Sequence, residues 1–398
     1  MKVLLVTARF PWPADRGDRL TSLALLKVLA CRHETTLLSF VDGREPAGAQ
    51  GELEALGVRV ETVHLPRARS WAQAWLALAG SEPSQVAYYR SREMRDRVAR
   101  HVAEGGYDAV CVMMFRMAQA LDGVHHPAKA IFLGDSLALN LERAARFAPL
   151  WKRPGIAWER RRVAAYEVAA ASAFREAWLV SPVDCDDLLA RGVRHARLVP
   201  HGVNDALFSL EPRRATTPRV MFLGNLSVPH NVDAAVFAAR EVWPEVRARV
   251  PEAELWLVGA APRLEVRILG SLPGVTVTGL VPDLMPLWAA AHVMLAPLRF
   301  SSGIQNKVLE AMAAGVPVVT TPCAAAGVGE CAGQLMRIAT DAGGLARETA
   351  ALLANPAAAD GLAVRARAHA LAHFSWQALG RELERVAREA KDGQAASG

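Results

Sequence analysis

The stretch Ser301-Ser302-Gly303-Ile304-Gln305-Asn306-Lys307-Val308-Leu309-Glu310-Ala311-Met312-Ala313-Ala314-Gly315-Val316-Pro317-Val318-Val319 decides how this 398-residue chain is read. Two serines and a glycine make a turn with a ready N-cap, an apolar-periodic helix follows, Gly315 stops it, and Val316 to Val319 reads as a buried strand. Lys307 and Glu310 are three residues apart and so share one helix face. Both can reach a ligand over the helix N-terminus, where backbone N–H groups and the dipole favour anionic oxygens. An ammonium suits phosphate and a carboxylate suits hydroxyls, which together suggest a sugar nucleotide. A capped surface helix with an i,i+3 ion pair would carry the same residues.

Outward from this stretch, the pattern is short apolar strand, loop, helix, repeated. Upstream, Arg219 to Leu223 is a strand ending in Gly224-Asn225-Leu226-Ser227-Val228-Pro229-His230-Asn231, and Asn231 to Arg249 a helix. Glu254 to Gly259 and His292 to Pro297 are further strands, with Val275-Thr276-Val277-Thr278-Gly279-Leu280-Val281-Pro282-Asp283 and a helix from Leu284 to Ala290 between them. Leu210 to Pro218, rich in Pro, Thr and Arg, has linker composition. Before it, Lys2 to Thr7, Thr35 to Phe40, Val58 to Leu65, Tyr107 to Met113, Lys129 to Leu133, Ala177 to Val180 and Ala196 to Val199 are strands alternating with helices. That alternation is the signature of doubly wound α/β domains. The first loop lacks G-x-G-x-x-G, which argues against a dinucleotide oxidoreductase. Asp135 and Ser136 follow the fifth strand, at the end where open α/β sheets bind ligand; capping the following segment is the alternative role. Arg116 is a second candidate of that kind, as are Arg16 and Arg19 flanking the first turn. Helices from Gly343, Pro356 and Trp376 close the chain.

The opening stretch resembles the donor-binding signature of the family 4 glycosyltransferases, retaining enzymes of GT-B architecture that belong to glycosyltransferase group 1. Glu310 falls on the second of the family's two glutamates, and Ala311 to Val319 match closely. Ser302 stands where the first glutamate is usual, as in the exosortase-associated sugar transferases, whose run Gly-Ile-Gln-Asn-Lys-Val-Leu-Glu-Ala-Met-Ala is intact from Gly303 to Ala313. The resemblance implies two Rossmann-like domains facing a cleft: 1–209 binding acceptor, 210–375 binding nucleotide-sugar, and 376–398 a helix and tail crossing back onto the first domain. It also implies roles. Gly303, Ile304, Gln305, Asn306 and Lys307 would hold the donor diphosphate, Glu310 the ribose or sugar hydroxyls, Val281 and Asp283 the nucleobase, and Gly17 the phosphates from the first domain. Asn225 and His230 occupy the positions of a usual Arg and Lys, which puts more weight on Lys307. Asp135 stands near the place of the family's histidine and is the catalytic candidate with Glu310. Pro200-His201-Gly202-Val203-Asn204 resembles the turn that closes the first domain.

Composition sets the remaining bounds. Five scattered cysteines without C-x-x-C spacing argue against disulfides and zinc. No apolar run is long enough to span a bilayer, and Met1 leads directly into KVLLVTA without a leader pattern, so a cytoplasmic location is expected. Residues 1–200 hold 28 Lys and Arg against 22 Asp and Glu, whereas residues 201–398 hold 18 of each, so the net charge of +6 sits in the first half. A basic half suits an anionic membrane leaflet or acceptor. Arg67 to Gly80, with Trp71, Trp75 and Leu78 on one face, fits either an interfacial helix or a core-facing one, and the core is favoured. No nucleic-acid motif is present. The expectation is therefore a hexosyltransferase moving a sugar from a UDP- or GDP-sugar to the hydroxyl of a sugar or lipid-linked acceptor, in polysaccharide or glycoconjugate biosynthesis. It would need no cofactor or metal, and would be peripheral to the membrane at most. The rivals are a sugar-nucleotide epimerase of the same architecture and a non-catalytic sugar-nucleotide-binding protein.

Overall fold

Continuous runs of Val, Leu and Ile form strands buried on both faces, as parallel sheets covered by helices require. The computed structural model describes residues 1–13, 17–211, 216–300 and 304–395. Two units result: Met1–His201 with Trp376–Gly398, and Gly202–Ser375. In the first unit the strands are β1 (Lys2–Thr7), β2 (Glu34–Val41), β3 (Val58–His64), β4 (Ala109–Met113), β5 (Lys129–Gly134), β6 (Glu176–Leu179) and β7 (Ala196–Leu198). Among the described residues they form one parallel sheet in the order β3-β2-β1-β4-β5-β6-β7. The second unit carries β8 (Arg219–Leu223), β9 (Glu254–Val258), β10 (Val275–Gly279), β11 (Val293–Ala296), β12 (Val318–Thr320) and β13 (Arg337–Ile338). Its parallel order is β10-β9-β8-β11-β12-β13. The strand order of each sheet reverses once, between β1 and β4 and between β8 and β11, and that switch point opens a crevice at the strand carboxyl ends.

Four sequence expectations change. The boundary between units falls after His201 rather than at residue 209, because the turn Asp205–Ser209 packs under the helix Asn306–Ala314 and Arg367 donates to the carbonyls of Phe208 and Leu210. The strand after Gly315 begins at Val318, since the Val316 amide bonds back to the Ala311 carbonyl and closes the helix instead. The helix from 229 to 249 contains a π turn at Ala238–Val242, just before Pro244, whose missing N–H cannot continue the α pattern. The helix Arg67–Leu76 turns Ser70 and Ala74 inward, and Trp71, Trp75 and Leu76 remain 55%, 69% and 77% exposed. Small residues allow close packing on the helix Ser84–Tyr88, which leaves the large apolar face uncovered.

The last helix, Trp376–Ala395, packs on the helix Gly17–Ala30 and on β4. Leu379, Leu383 and Val386 are fully buried, and a Cβ at Gly380 would lie 2.7 Å from Val28 Cγ1, so the small residue permits the approach. A hydrogen bond between Glu384 and His33 (2.8 Å) and an ion pair from Lys391 to Asp108 (2.6 Å) fix its register.

Candidate functional site

In the second unit, the crevice between β8 and β11 gathers a small polar cluster. The helix Asn306–Ala314 begins at Gln305, whose side chain makes no capping hydrogen bond, and ends at Gly315 in the left-handed region (φ 72°). The expected cap residues Ser301 and Ser302, and the candidate Gly303, lie outside the described residues, as does Arg16. Ile304 and Gln305 are buried at the helix entry, and Asn306 is partly exposed as its first residue.

Lys307 is 8% exposed. Its ammonium donates to Asn231 Oδ1 and lies 4.9 Å from the centre of the Phe222 ring on β8. Asn231 in turn donates from Nδ2 to the Asn225 carbonyl (3.1 Å), and Asn225 Oδ1 accepts from the Ser227 amide and hydroxyl (3.0 and 2.6 Å). The loop after β8 is therefore tied to the helix through one amide side chain. Two glycines allow this crowding. A Cβ on Gly224 would meet Asn231 Cγ at 2.7 Å, and one on Gly259 (φ 148°) would meet the Gly224 carbonyl oxygen at 1.8 Å.

Burial governs the charges. It pulls the Lys307 ammonium down to about 7, against the opposing pull of Glu310. It pushes the Glu310 carboxyl up to about 7, with Lys307 opposing. His230 falls to about 4, first through burial and then through the nearby Lys307, so it is a neutral imidazole near neutral pH. Its ring meets Phe300 edge-on with centroids 6.4 Å apart. Arg299, three residues past the end of β11, is held by both carboxylate oxygens of Asp233. Lys307 and Asn225 thus meet through Asn231, which the sequence reading did not single out, and His230 lies near enough to feel the Lys307 charge. Asp283 is exposed and accepts from the Met285 amide (3.0 Å); Val281 is half-buried beside it. Chemically, the cluster offers an ammonium whose full charge returns when an anion replaces lost solvation, beside helix amides and a carboxyl suited to hydroxyls.

The first unit places its candidates in three groups. Gly17 opens the helix Gly17–Ala30, and Asp18, its second residue, accepts from Arg9 (2.8 Å) and Arg116 (3.0 Å). Arg19 lines the cavity that Arg9 and Arg116 share. At the end of β5, Ser136 caps the helix Leu137–Phe147 by accepting from the Leu139 amide (3.2 Å), and its hydroxyl donates to the buried Glu167 (3.3 Å). Asp135 precedes it and is partly exposed. His201 is buried and stacked on Trp376, with centroids 5.5 Å apart and planes at 18°.

Known structures share this architecture throughout. Sucrose-phosphate synthase from Thermosynechococcus elongatus aligns over 99% of this chain and 100% of its own, with a TM-score of 0.72 at 18% identity. The Anabaena protein HepE in complex with UDP-glucose aligns over 100% of both chains (TM-score 0.66, 16% identity). WaaG, a glycosyltransferase involved in lipopolysaccharide biosynthesis, aligns over 97% of this chain and 99% of its own (TM-score 0.65, 16% identity). No curated protein matches the sequence. The fold is thus the GT-B arrangement of two Rossmann-like sheets, and residues 217–363, which contain the Lys307 cluster, match the family described as glycosyl transferases group 1.

Proposed function

We propose that the protein is a retaining glycosyltransferase of family 4, nearest to the exosortase-associated branch. It moves a hexosyl group from a UDP- or GDP-sugar to a hydroxyl of a sugar or lipid-linked acceptor, in exopolysaccharide or glycoconjugate biosynthesis. The observation that carries this reading is the buried Lys307 ammonium held by Asn231 at the β8–β11 crevice, beside the start of a helix. In the reaction the bond from the anomeric carbon to the donor's β-phosphate oxygen breaks. The acceptor oxygen bonds to that carbon, and its proton leaves with the nucleoside diphosphate. The protein's part is to stabilise the departing negative charge, which positioned donors do well in a desolvated site. Lys307, Asn306 and Gln305 serve the diphosphate, neutral His230 and Asn225 add hydrogen bonds, Glu310 holds hydroxyls, and Val281 and Asp283 face the base. Asp135, on the first unit, is assigned to the transferred sugar. The UDP-glucose complex of HepE supports a uridine donor. A cytoplasmic, peripheral location follows from the same reading; among the described residues no helix is long and apolar enough to cross a membrane.

The test is a panel of UDP- and GDP-sugars with EDTA present, followed by NMR. Slow release of nucleoside diphosphate, and a product that keeps the donor's anomeric configuration, are expected. Acceptor-free isomerisation of the donor would establish the epimerase instead, and an inverted product would remove the retaining mechanism. Asp135→Asn is expected to lower turnover at least a hundredfold with UDP affinity unchanged; wild-type turnover would exclude the catalytic assignment.

Protonation supplies a further check. Lys307 loses its proton near pH 7 in the free protein, and a bound diphosphate restores the charged form, so binding at higher pH takes up a proton. UDP affinity should therefore fall by up to about tenfold per pH unit above 7. Calorimetry at pH 8 in HEPES and in Tris should show uptake approaching about one proton. Equal observed heats in the two buffers, meaning no uptake, would contradict the phosphate role of Lys307.

A further inference from the structure

The first unit has a cavity of its own, about 400 Å³, at the carboxyl ends of β1 to β4, where its strand order reverses. Among the described residues five arginines line it: Arg9, Arg19, Arg44, Arg67 and Arg116. The acidic groups among the described residues do not balance them. Asp18 is shared between Arg9 and Arg116, Glu45 accepts from the amides of Asp42 and Gly43 (both 3.0 Å), and Asp42 is 3.9 Å from Arg67. Arg116 is 8% exposed, and its Nε has no hydrogen-bond partner among the described residues. A buried guanidinium with an unmet donor is costly unless something completes it. Met114, two residues before it in the chain, holds a φ of 74°, a conformation that a methionine adopts only under constraint.

The same cavity is lined by aromatic rings. Tyr88 meets Tyr89 and Trp71 edge-on, with centroids 5.0 and 5.3 Å apart, and Arg116 lies over Tyr89. Planar guanidinium forks match phosphate oxygens, and flat aromatic faces accept a sugar ring. Trp75 and Leu76 continue the helix from Trp71 away from the cavity and are largely exposed.

We propose that this cavity binds the acceptor, and that the acceptor carries a phosphate or diphosphate group beside its hydroxyl-bearing ring. The arginines hold the anion, and Trp71 with Tyr88 contacts the ring. This rests on the glycosyl-transfer reading for the word acceptor, while the anion site itself stands on the first unit alone. Phosphate chemistry of this kind is found on soluble sugar phosphates and on lipid headgroups, and the test separates them.

The full-length protein is titrated with glucose 1-phosphate and with glucose, and is floated with phosphatidylcholine vesicles with and without phosphatidic acid. Binding of glucose 1-phosphate, but not glucose, identifies a soluble anion; selective flotation with phosphatidic acid identifies a lipid-borne one. Arg116→Gln should weaken whichever occurs at least tenfold, and the exposed Arg67→Gln, which leaves folding undisturbed, two- to fivefold. Lys307→Met and saturating UDP should leave this binding unchanged, which excludes the second unit as its place. The proposal is overturned if neither probe binds, or if both arginine variants bind as wild type does. If UDP fails to bind while glucose 1-phosphate binds in the expected pattern, the transferase reading fails and the anion site survives.

Discussion

Replacing Lys307 by methionine is expected to weaken UDP binding about a hundredfold while leaving the melting temperature unchanged or higher. The two effects separate because the ammonium's value lies with the ligand. In the free protein it is 8% exposed, donates to Asn231, and has been pulled down to about 7 by burial, so folding gains little from its charge. Methionine fills a similar volume without a charge to desolvate, and such replacements of buried ionic groups are often neutral or stabilising. A charge-assisted hydrogen bond to a diphosphate oxygen is worth about 1.5–3 kcal/mol, which corresponds to about ten- to a hundredfold. The upper end applies here, since Arg299 is already engaged by Asp233 and His230 is neutral. Calorimetric affinity within threefold of wild type would show that the diphosphate lies elsewhere.

The second large effect is on stability. Gly259→Ala should destabilise the second unit by about 3 kcal/mol, from a strained φ and from overpacking against backbone. The new Cβ would sit 1.8 Å from the Gly224 carbonyl oxygen and 2.8 Å from its carbon, and neither can rotate away. For a unit of this size the melting temperature should fall by about 10 °C. Because Gly224 also abuts Asn231, UDP binding should weaken too. Gly343→Ala is the control, since its nearest neighbour would be 3.6 Å away and the position is helical; it should be neutral or slightly stabilising. A melting temperature for Gly259→Ala within 2 °C of wild type would mean that the two loops part without cost.

Much of this architecture is legible before any coordinates, for a physical reason. Strands of parallel sheets are buried on both faces, so Lys2 to Thr7, Arg219 to Leu223 and their fellows appear as unbroken apolar runs. The local chemistry of Asn306 to Gly315 is equally plain. The partners are not. Asn231 lies 76 positions from Lys307, and Asp18 lies 98 from Arg116, and no local pattern ties such pairs together. The helix Arg67–Leu76 misleads for another reason: periodicity shows that one face is apolar, but only the neighbours decide whether that face is covered. Here Ser70 and Ala74 won the inward side through close packing.

The discontinuity of the first unit bears on how the chain matures. Its sheet is assembled from the first half of the sequence, yet helix Gly17–Ala30 and β4 are covered by Trp376–Ala395. During synthesis the second unit, contiguous from Gly202 to Ser375, can complete its core while the older segment still exposes an apolar flank around Val28. The usual amino-to-carboxyl order of domain completion is therefore reversed. The helix Gly17–Ala30 leaves the ribosome long before the helix that shelters it, and nascent chains arrested before residue 376 should be the ones that chaperones retain.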